Sequence, residues 1–257
     1  MEGFLHTLGD IEEPLGIVYS DAHPEDGLTP STGKSHSCII NYMRMARTKN
    51  TPVWLAADVP GCVGGWVYMG FILPPPERIA QYVTTGWPGE EGERYMPNPS
   101  SIHRMYAELD MQPAPARYCV VKPLSMFQTD EEPLLIVFHC RGEELTGLCQ
   151  LAYFALDDHN AVVMPFGAGC TNIFTWPLHF HRQGMKKAVV GGIDPSCRPF
   201  MNVDELSFTV TPDVFDLMAD AAPRSFLHGK TWKGVLKRIK RSRTTWEKST
   251  KGDAHSV

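Results

Sequence analysis

The sequence predicts a mixed α/β fold, and three observations carry that prediction. Short apolar runs rich in β-formers alternate with helical stretches along most of the chain. A helix–breaker–strand–Gly-Cys unit occurs twice, ending at Gly61-Cys62 and at Gly169-Cys170. A basic amphipathic stretch closes the chain. The expected architecture is two pseudo-symmetric helix–strand–Gly-Cys halves around a mixed sheet, followed by a basic C-terminal helix.

Each element has a local reason. Gly16-Ile17-Val18-Tyr19 reads as a strand, and Asp21 to Gly33 as a polar, turn-rich stretch. From His36 to Arg47 the apolar positions Ile39, Ile40 and Met43 fall on one helical face. Thr48 to Pro52 breaks that helix, and Val53-Trp54-Leu55-Ala56 follows as a strand. Pro74-Pro75-Pro76-Glu77 opens a helix through Ile79, Ala80 and Val83 that stops at Gly86. Residues 86–100, with three glycines and three prolines, form a polar connection between the halves.

Beyond it, Ile102 to Leu109 is helical, and Tyr118 to Val121 and Leu134 to Phe138 are strands. Glu143 to Leu156 is a helix, because Leu145, Leu148, Cys149, Ala152 and Leu156 recur at helical spacing. After the break at Asp157-Asp158-His159-Asn160, Ala161 to Met164 repeats the strand before Gly169-Cys170. Ala188-Val189-Val190 is a strand running into Gly191-Gly192 and the Asp194-Pro195-Ser196-Cys197-Arg198 turn. Leu206, Phe208 and Val210 alternate along another strand, and Thr211 caps a helix from Pro212 to Ala219. Trp232, Val235, Leu236 and Ile239 share the apolar face of the last helix. The domain reading is one cysteine-containing domain over 1–228, with halves at about 15–86 and 101–222, then a basic helix and tail over 229–257.

Composition narrows the class. With 43% hydrophobic and 21% charged residues in 257, the chain reads as an ordinary globular protein. No window approaches the roughly 20 apolar residues of a membrane helix. The first residues carry Glu2, Asp10, Glu12 and Glu13 and no basic side chain, unlike a signal peptide, so a cytoplasmic location is expected. Seven cysteines, an odd number, argue against a disulfide framework and leave metal-binding, reactive or core thiols. Residues 230–257 hold nine basic side chains against Glu247 and Asp253, whereas the remainder holds 15 basic and 27 acidic. A basic tail on an acidic body suits self-docking, a homo-oligomer or an acidic partner. No nucleic-acid signature accompanies it, so no nucleic-acid partner is expected.

The residues that carry chemistry are cysteines. Cys62 and Cys170 each follow a strand at a helix start, where free N–H groups and the helix dipole favour thiolate. Cys197 sits in a comparable turn, and Cys38 on the first helix completes a set of four. Soft thiolates select iron–sulfur clusters, zinc or Cu(I), although the spacings of 24, 108 and 27 residues match no compact motif. The rival reading makes Cys62 or Cys170 a metal-free nucleophile or proton donor, with His179 or His181 nearby as base. Arg198 and Lys122 are the candidate cations for an anionic small molecule. Gly61-Cys62-Val63-Gly64-Gly65 could cradle an anion but fits neither nucleotide-binding glycine motif. Cys119, Cys140 and Cys149 lie in apolar strands or on a helix face and read as core thiols.

The order of these pieces from about Leu15 to Ala222 resembles one family, the uncharacterised, archaeal conserved cysteine-rich domain of unknown function 169. The carriers are Ser37-Cys38, Gly61-Cys62-Val63-Gly64-Gly65 before Met69-Gly70-Phe71, and Lys122-Pro123-Leu124-Ser125. They continue with the apolar strand Leu134 to Phe138, Gly169-Cys170, Cys197-Arg198 and Asp204-Glu205-Leu206. The resemblance implies that Cys38, Cys62, Cys170 and Cys197 belong to the family pattern and that Cys119, Cys140 and Cys149 do not. The family commonly places a glycine between the last cysteine and its arginine; here Arg198 follows directly. The functional expectation is a protein binding a thiolate-held metal or iron–sulfur centre through those four cysteines, acting in redox or Lewis-acid chemistry on a small anionic molecule. A metal-free cysteine enzyme and a non-catalytic small-molecule-binding module are the alternatives.

Overall fold

The structure is a computed structural model that describes residues 5–9, 11–28, 38–59 and 61–253, with side chains as far as Ser242. His36 and Ser37, at the expected start of the first helix, lie outside the described residues. The strands are β1 (Leu15–Ser20), β2 (Val53–Leu55), β3 (Gly86–Trp87), β4 (Glu90–Glu91), β5 (Tyr118–Pro123), β6 (Leu135–Cys140), β7 (Val162–Val163), β8 (Ala188–Gly191) and β9 (Leu206–Val210). Seven of them form one mixed sheet in the order β2-β5-β1-β6-β9-β8-β7. Its pairings are antiparallel except β7 with β8, which the chain joins by a crossover.

The helices are α1 (Ile39–Lys49), α2 (Val63–Tyr68), α3 (Glu77–Tyr82), α4 (Pro99–Leu109), α5 (Gly142–Leu156), α6 (Trp176–Arg182), α7 (Pro212–Ala221) and α8 (Lys230–Asp253). They cover both faces of the sheet, and β6 is therefore buried along its whole length. On one face Ile136, Phe138, Phe208 and Val210 pack against Leu148 and Leu151 of α5, Val214 and Met218 of α7, and Trp232 of α8. On the other, Leu15, Ile17, Val121, Leu135 and Val137 pack against Ile39, Ile40 and Met43 of α1, Trp66 of α2, and Ile173 and Phe174. A third cluster joins Ala80 of α3, Ile102 and Leu109 of α4, and Trp176 of α6 to Val189.

The two strand–Gly-Cys units lie at opposite edges of the sheet, β2 at one and β7 at the other. Their helices take opposite faces, α1 with one core and α5 with the other. The basic helix docks by its first turns, where Trp232 donates to the Thr7 carbonyl at 2.7 Å. Among the described residues no helix is long and apolar enough to cross a membrane.

Three local features differ from the sequence reading. The polar connection at 86–100 contains the two-stranded β3–β4 hairpin, whose strands are too short to show any alternation. The apolar segment after Cys170 opens as one turn of π-helix, Thr171–Thr175, before α6. Pro177 has no N–H to give the Ile173 carbonyl, so the α-ladder is interrupted there. Thr211 stands before α7 as expected, but its hydroxyl donates to Asp213 Oδ1 rather than capping the helix.

A titratable ring is buried in this framework. His139 of β6 is 6% exposed, and neither ring nitrogen has a hydrogen-bond partner. Beside it the Arg47 guanidinium holds Glu205 at 2.7 Å, and both side chains of that pair are nearly inaccessible. Burial, reinforced by Arg47 and opposed by Glu205, pushes the His139 pKa from 6.5 down to about 3. The unfolded chain takes up a proton below 6.5 that the folded chain refuses. The stability this ring contributes is therefore present above pH 6.5 and lost as pH falls towards 3. Between pH 6 and 4.5 the wild type should lose about 2 kcal/mol more than His139→Gln in denaturant unfolding. Equal losses would place the ring in a solvated setting.

Candidate functional site

All four cysteines of the sequence-derived set occupy the same structural position, the residue just before a helical segment. Cys38 precedes α1, Cys62 precedes α2, Cys170 precedes the π-turn, and Cys197 precedes the short 3₁₀ turn Arg198–Phe200. This position faces N–H groups with no partner inside the helix, and Ser, Thr, Asp or Asn there stabilise by about 0.5–2 kcal/mol over a non-capping residue. None of the four cysteines closes a side-chain cap hydrogen bond. At Cys38 and Cys62, whose backbones are extended as a cap requires, the chain therefore forgoes capping energy and places a sulfur, whereas Cys170 and Cys197 are already helical. Cys119 and Cys140, by contrast, lie on strands at 0% and 1% exposure, and Cys149 lies within α5.

Two glycines let these starts approach. At Gly65 a Cβ would meet Ile39 Cδ1 at 2.3 Å, so α2 packs directly on the first turn of α1 and brings Cys62 towards Cys38. At Gly169 a Cβ would stand 3.0 Å from Cys197 Sγ, so the Cys170 turn rests on the Cys197 turn. Asp194 sits between them. Its carboxylate accepts from Gly169 N at 3.3 Å and from the Ser196 hydroxyl at 2.8 Å, while the Cys197 thiol donates to the Asp194 carbonyl at 3.1 Å.

The charges of these groups act on one another. The Cys170 thiol is pushed well above its ordinary pKa, first by burial and then by Cys62, Cys38, Asp194 and Cys197. Cys170 as a residue keeps part of its surface exposed, but its sulfur is enclosed, and the sulfur decides the titration. Burial, with Asp194 and Cys38 adding to it, raises Cys197 to about 12 against a weaker lowering by Arg198. Burial also raises Cys38 to about 11, although the N–H groups of Ile40 and Asn41 pull the other way. The thiolate expected at the Cys170 helix start is thus reversed in the protein alone. Enclosure and mutual repulsion outweigh the backbone dipoles. Cys62 is the exposed member of the set.

The two candidate cations are committed elsewhere. The Arg198 guanidinium donates to four carbonyls, those of Gly192, Glu205, Asn202 and Val203, and so ties up its own loop. Lys122 alternates with Val121, so it points to the sheet face opposite the cysteine cluster. There it pairs with Glu131 and lies over the Phe127 ring at 4.3 Å. His179 packs its ring against Trp176 and Phe180, and His181 lies 3.7 Å from Asp213.

Residues that the sequence did not single out surround the thiols. Asp194 is the chief one; its only signal was an Asp-Pro-Ser turn before a cysteine. Tyr68 of α2 and Tyr106 of α4, whose hydroxyls stand 3.4 Å apart, both sense the charge of Cys170. Among the described residues no three His, Cys, Asp or Glu side chains are turned onto one point as a metal would require. Two surface cavities, of 330 and 420 Å³, are lined by other residues: Ala56, Phe71 and Arg117 in one, Tyr19, His181 and Asp213 in the other.

Residues 6–221 match the family described as uncharacterised ArCR, domain of unknown function 169. The chain belongs to this family. No curated protein and no solved structure matches it. The match spans all four helix-start cysteines, Asp194 and the Arg198 loop, and ends before the basic helix α8. In this family member Arg198 is a structural clamp, because each of its four carbonyl partners lies between 192 and 205. Arg198→Lys should cost about 2–4 kcal/mol in denaturant unfolding, since an ammonium cannot reach four carbonyls in one plane. A loss within about 0.5 kcal/mol would mark an ordinary surface cation instead.

Proposed function

We propose that this protein binds a soft metal centre, a single thiophilic ion or an iron–sulfur cluster, through Cys38, Cys62, Cys170 and Cys197. The observation that supports this reading is the gathering of four sulfurs and the Asp194 carboxylate into one set of mutually repelling groups. The nearest strong cation, Arg198, is spent on backbone carbonyls. Such a set gains most from a cation that accepts soft donors, because the metal displaces each thiol proton and its charge offsets those of the thiolates it binds. The donor set suits zinc, iron–sulfur or Cu(I) chemistry better than magnesium or calcium. A bound centre would supply electron transfer or Lewis acidity to a small molecule, and exposed Cys62 marks the side from which both would enter.

The protein's own contribution is positional. Helix starts hold each cysteine backbone, and a bound centre would require the side chains to turn onto a common point. The metal-free nucleophile reading has less support, because the surroundings of Cys38, Cys170 and Cys197 hold the proton on rather than drawing it off.

Anaerobic titration with Co²⁺, followed by the sulfur-to-cobalt absorption band, tests the proposal. The wild type should bind one equivalent. Cys170→Ser should weaken binding by at least about 100-fold, more than outer-shell changes do, and Cys149→Ser should leave it unchanged. Absence of any thiolate band in the wild type, together with no iron or sulfide in anaerobically purified protein, would overturn it.

A further inference from the structure

Beneath the cysteine turns, the sheet presents polar side chains where the rest of its face is apolar. His139 of β6 stands opposite Ser207 of β9, which stands opposite Gly191 of β8; Thr209 lies two residues further along β9, opposite Val137 and Val189. Successive residues on one side of a strand share a face, so His139, Ser207 and Thr209 form one patch. Asn172, in the π-turn after Cys170, drops onto it. A Cβ at Gly191 would meet Asn172 Cβ at 2.4 Å, Ser207 Oγ at 2.9 Å and Asn172 Cγ at 3.1 Å, so only glycine leaves room for these two side chains.

The amide nitrogen of Asn172 donates to the Pro165 carbonyl at 2.9 Å, which leaves its oxygen facing the patch. That oxygen, both His139 ring nitrogens, Ser207 Oγ and Thr209 Oγ1 are all buried and have no hydrogen-bond partner within the protein. The residues are 0%, 6%, 1% and 0% exposed for Asn172, His139, Ser207 and Thr209. Buried polar atoms in folded proteins are satisfied almost without exception, and several orphans on one patch point to a shared partner.

We propose that this patch is an internal water site, in which at least one ordered water bridges Ser207 Oγ, Asn172 Oδ1 and a ring nitrogen of His139, with the Thr209 hydroxyl beside it. A buried water typically makes about three hydrogen bonds, and the patch offers both donors and acceptors, since neutral imidazole carries one of each. The bridge joins the π-turn that follows Cys170 to Ser207 at the start of β9, the strand into which the loop of Asp194 and Cys197 runs. It therefore fixes the two turns that touch at Gly169, and it does so whether or not the thiols hold a metal.

Ser207→Ala and Thr209→Val decide the matter by sign. A dry, orphaned hydroxyl costs stability, so its removal raises Tm; a hydroxyl bound to enclosed water contributes, so its removal lowers Tm. Both variants should melt about 2–6 °C below the wild type. Ser207→Ala should also speed alkylation of Cys170, followed by mass spectrometry, while the exposed helix variant Thr146→Ala changes neither. A crystal structure of the wild type should show a water peak within hydrogen-bond distance of Ser207 and Asn172. An unchanged or raised Tm in either variant, or no such peak in density that resolves other buried waters, overturns the proposal.

Discussion

The candidate site depends on the contact between the Cys170 turn and the Cys197 turn. That contact needs a missing side chain at Gly169, where Cys197 Sγ occupies the space a Cβ would take. It also needs the 192–205 loop held in one shape, which the four carbonyl bonds of Arg198 provide. Asp194 then links the two turns by accepting from Gly169 N. The arrangement of α1 and α2 at Gly65 adds Cys38 and Cys62 to the same place. Residues more than a hundred positions apart meet because α1, α2 and the segment after Cys170 pack on the same face of the sheet.

In the protein by itself, Cys38, Cys170 and Cys197 keep their protons. Two helical starts, at Cys38 and Cys62, give up an oxygen cap, and the sulfurs of the set oppose one another's ionisation. A structural role for such cysteines would be better served by serine or by a larger apolar side chain. Local conflict of this kind concentrates at functional sites, where stability is given up for chemistry. The charge of a bound soft cation would offset that opposition, which is what favours the proposed reading over inert packing. The buried polar patch beneath the turns is a second place where the apolar pattern is broken, and it lies against the same two segments.

Much of the fold was legible in the sequence, for reasons that can be named. Alternation marked β9, runs of β-forming residues marked β1 and β5, and helical spacing marked α5. Local context also separated Cys38, Cys62, Cys170 and Cys197 from Cys119, Cys140 and Cys149, since turns and strand interiors differ in glycine and in neighbours. The burial of the thiols was not legible. Helix starts suggest thiolate, and only the packing of Ile39, Trp66 and Phe174 around them reverses the sign. Arg198 looked available because its four carbonyl partners come from a loop whose path the sequence does not reveal. Lys122 looked close because strand ends are close, but one residue of register puts it on the other face. Asp194 and His139 lacked any pattern of their own; their neighbours come from distant segments.

The central claim is that these thiols share one location, and a trivalent arsenical measures this without any metal. The reagent bridges neighbouring thiols and leaves isolated ones free. One equivalent added to reduced protein should block alkylation of at least two of Cys38, Cys62, Cys170 and Cys197, and leave Cys119, Cys140 and Cys149 as they were on unfolding. Cysteines that all remain open to alkylation after the arsenical, or protection that falls on Cys149 or Cys119, would contradict the account.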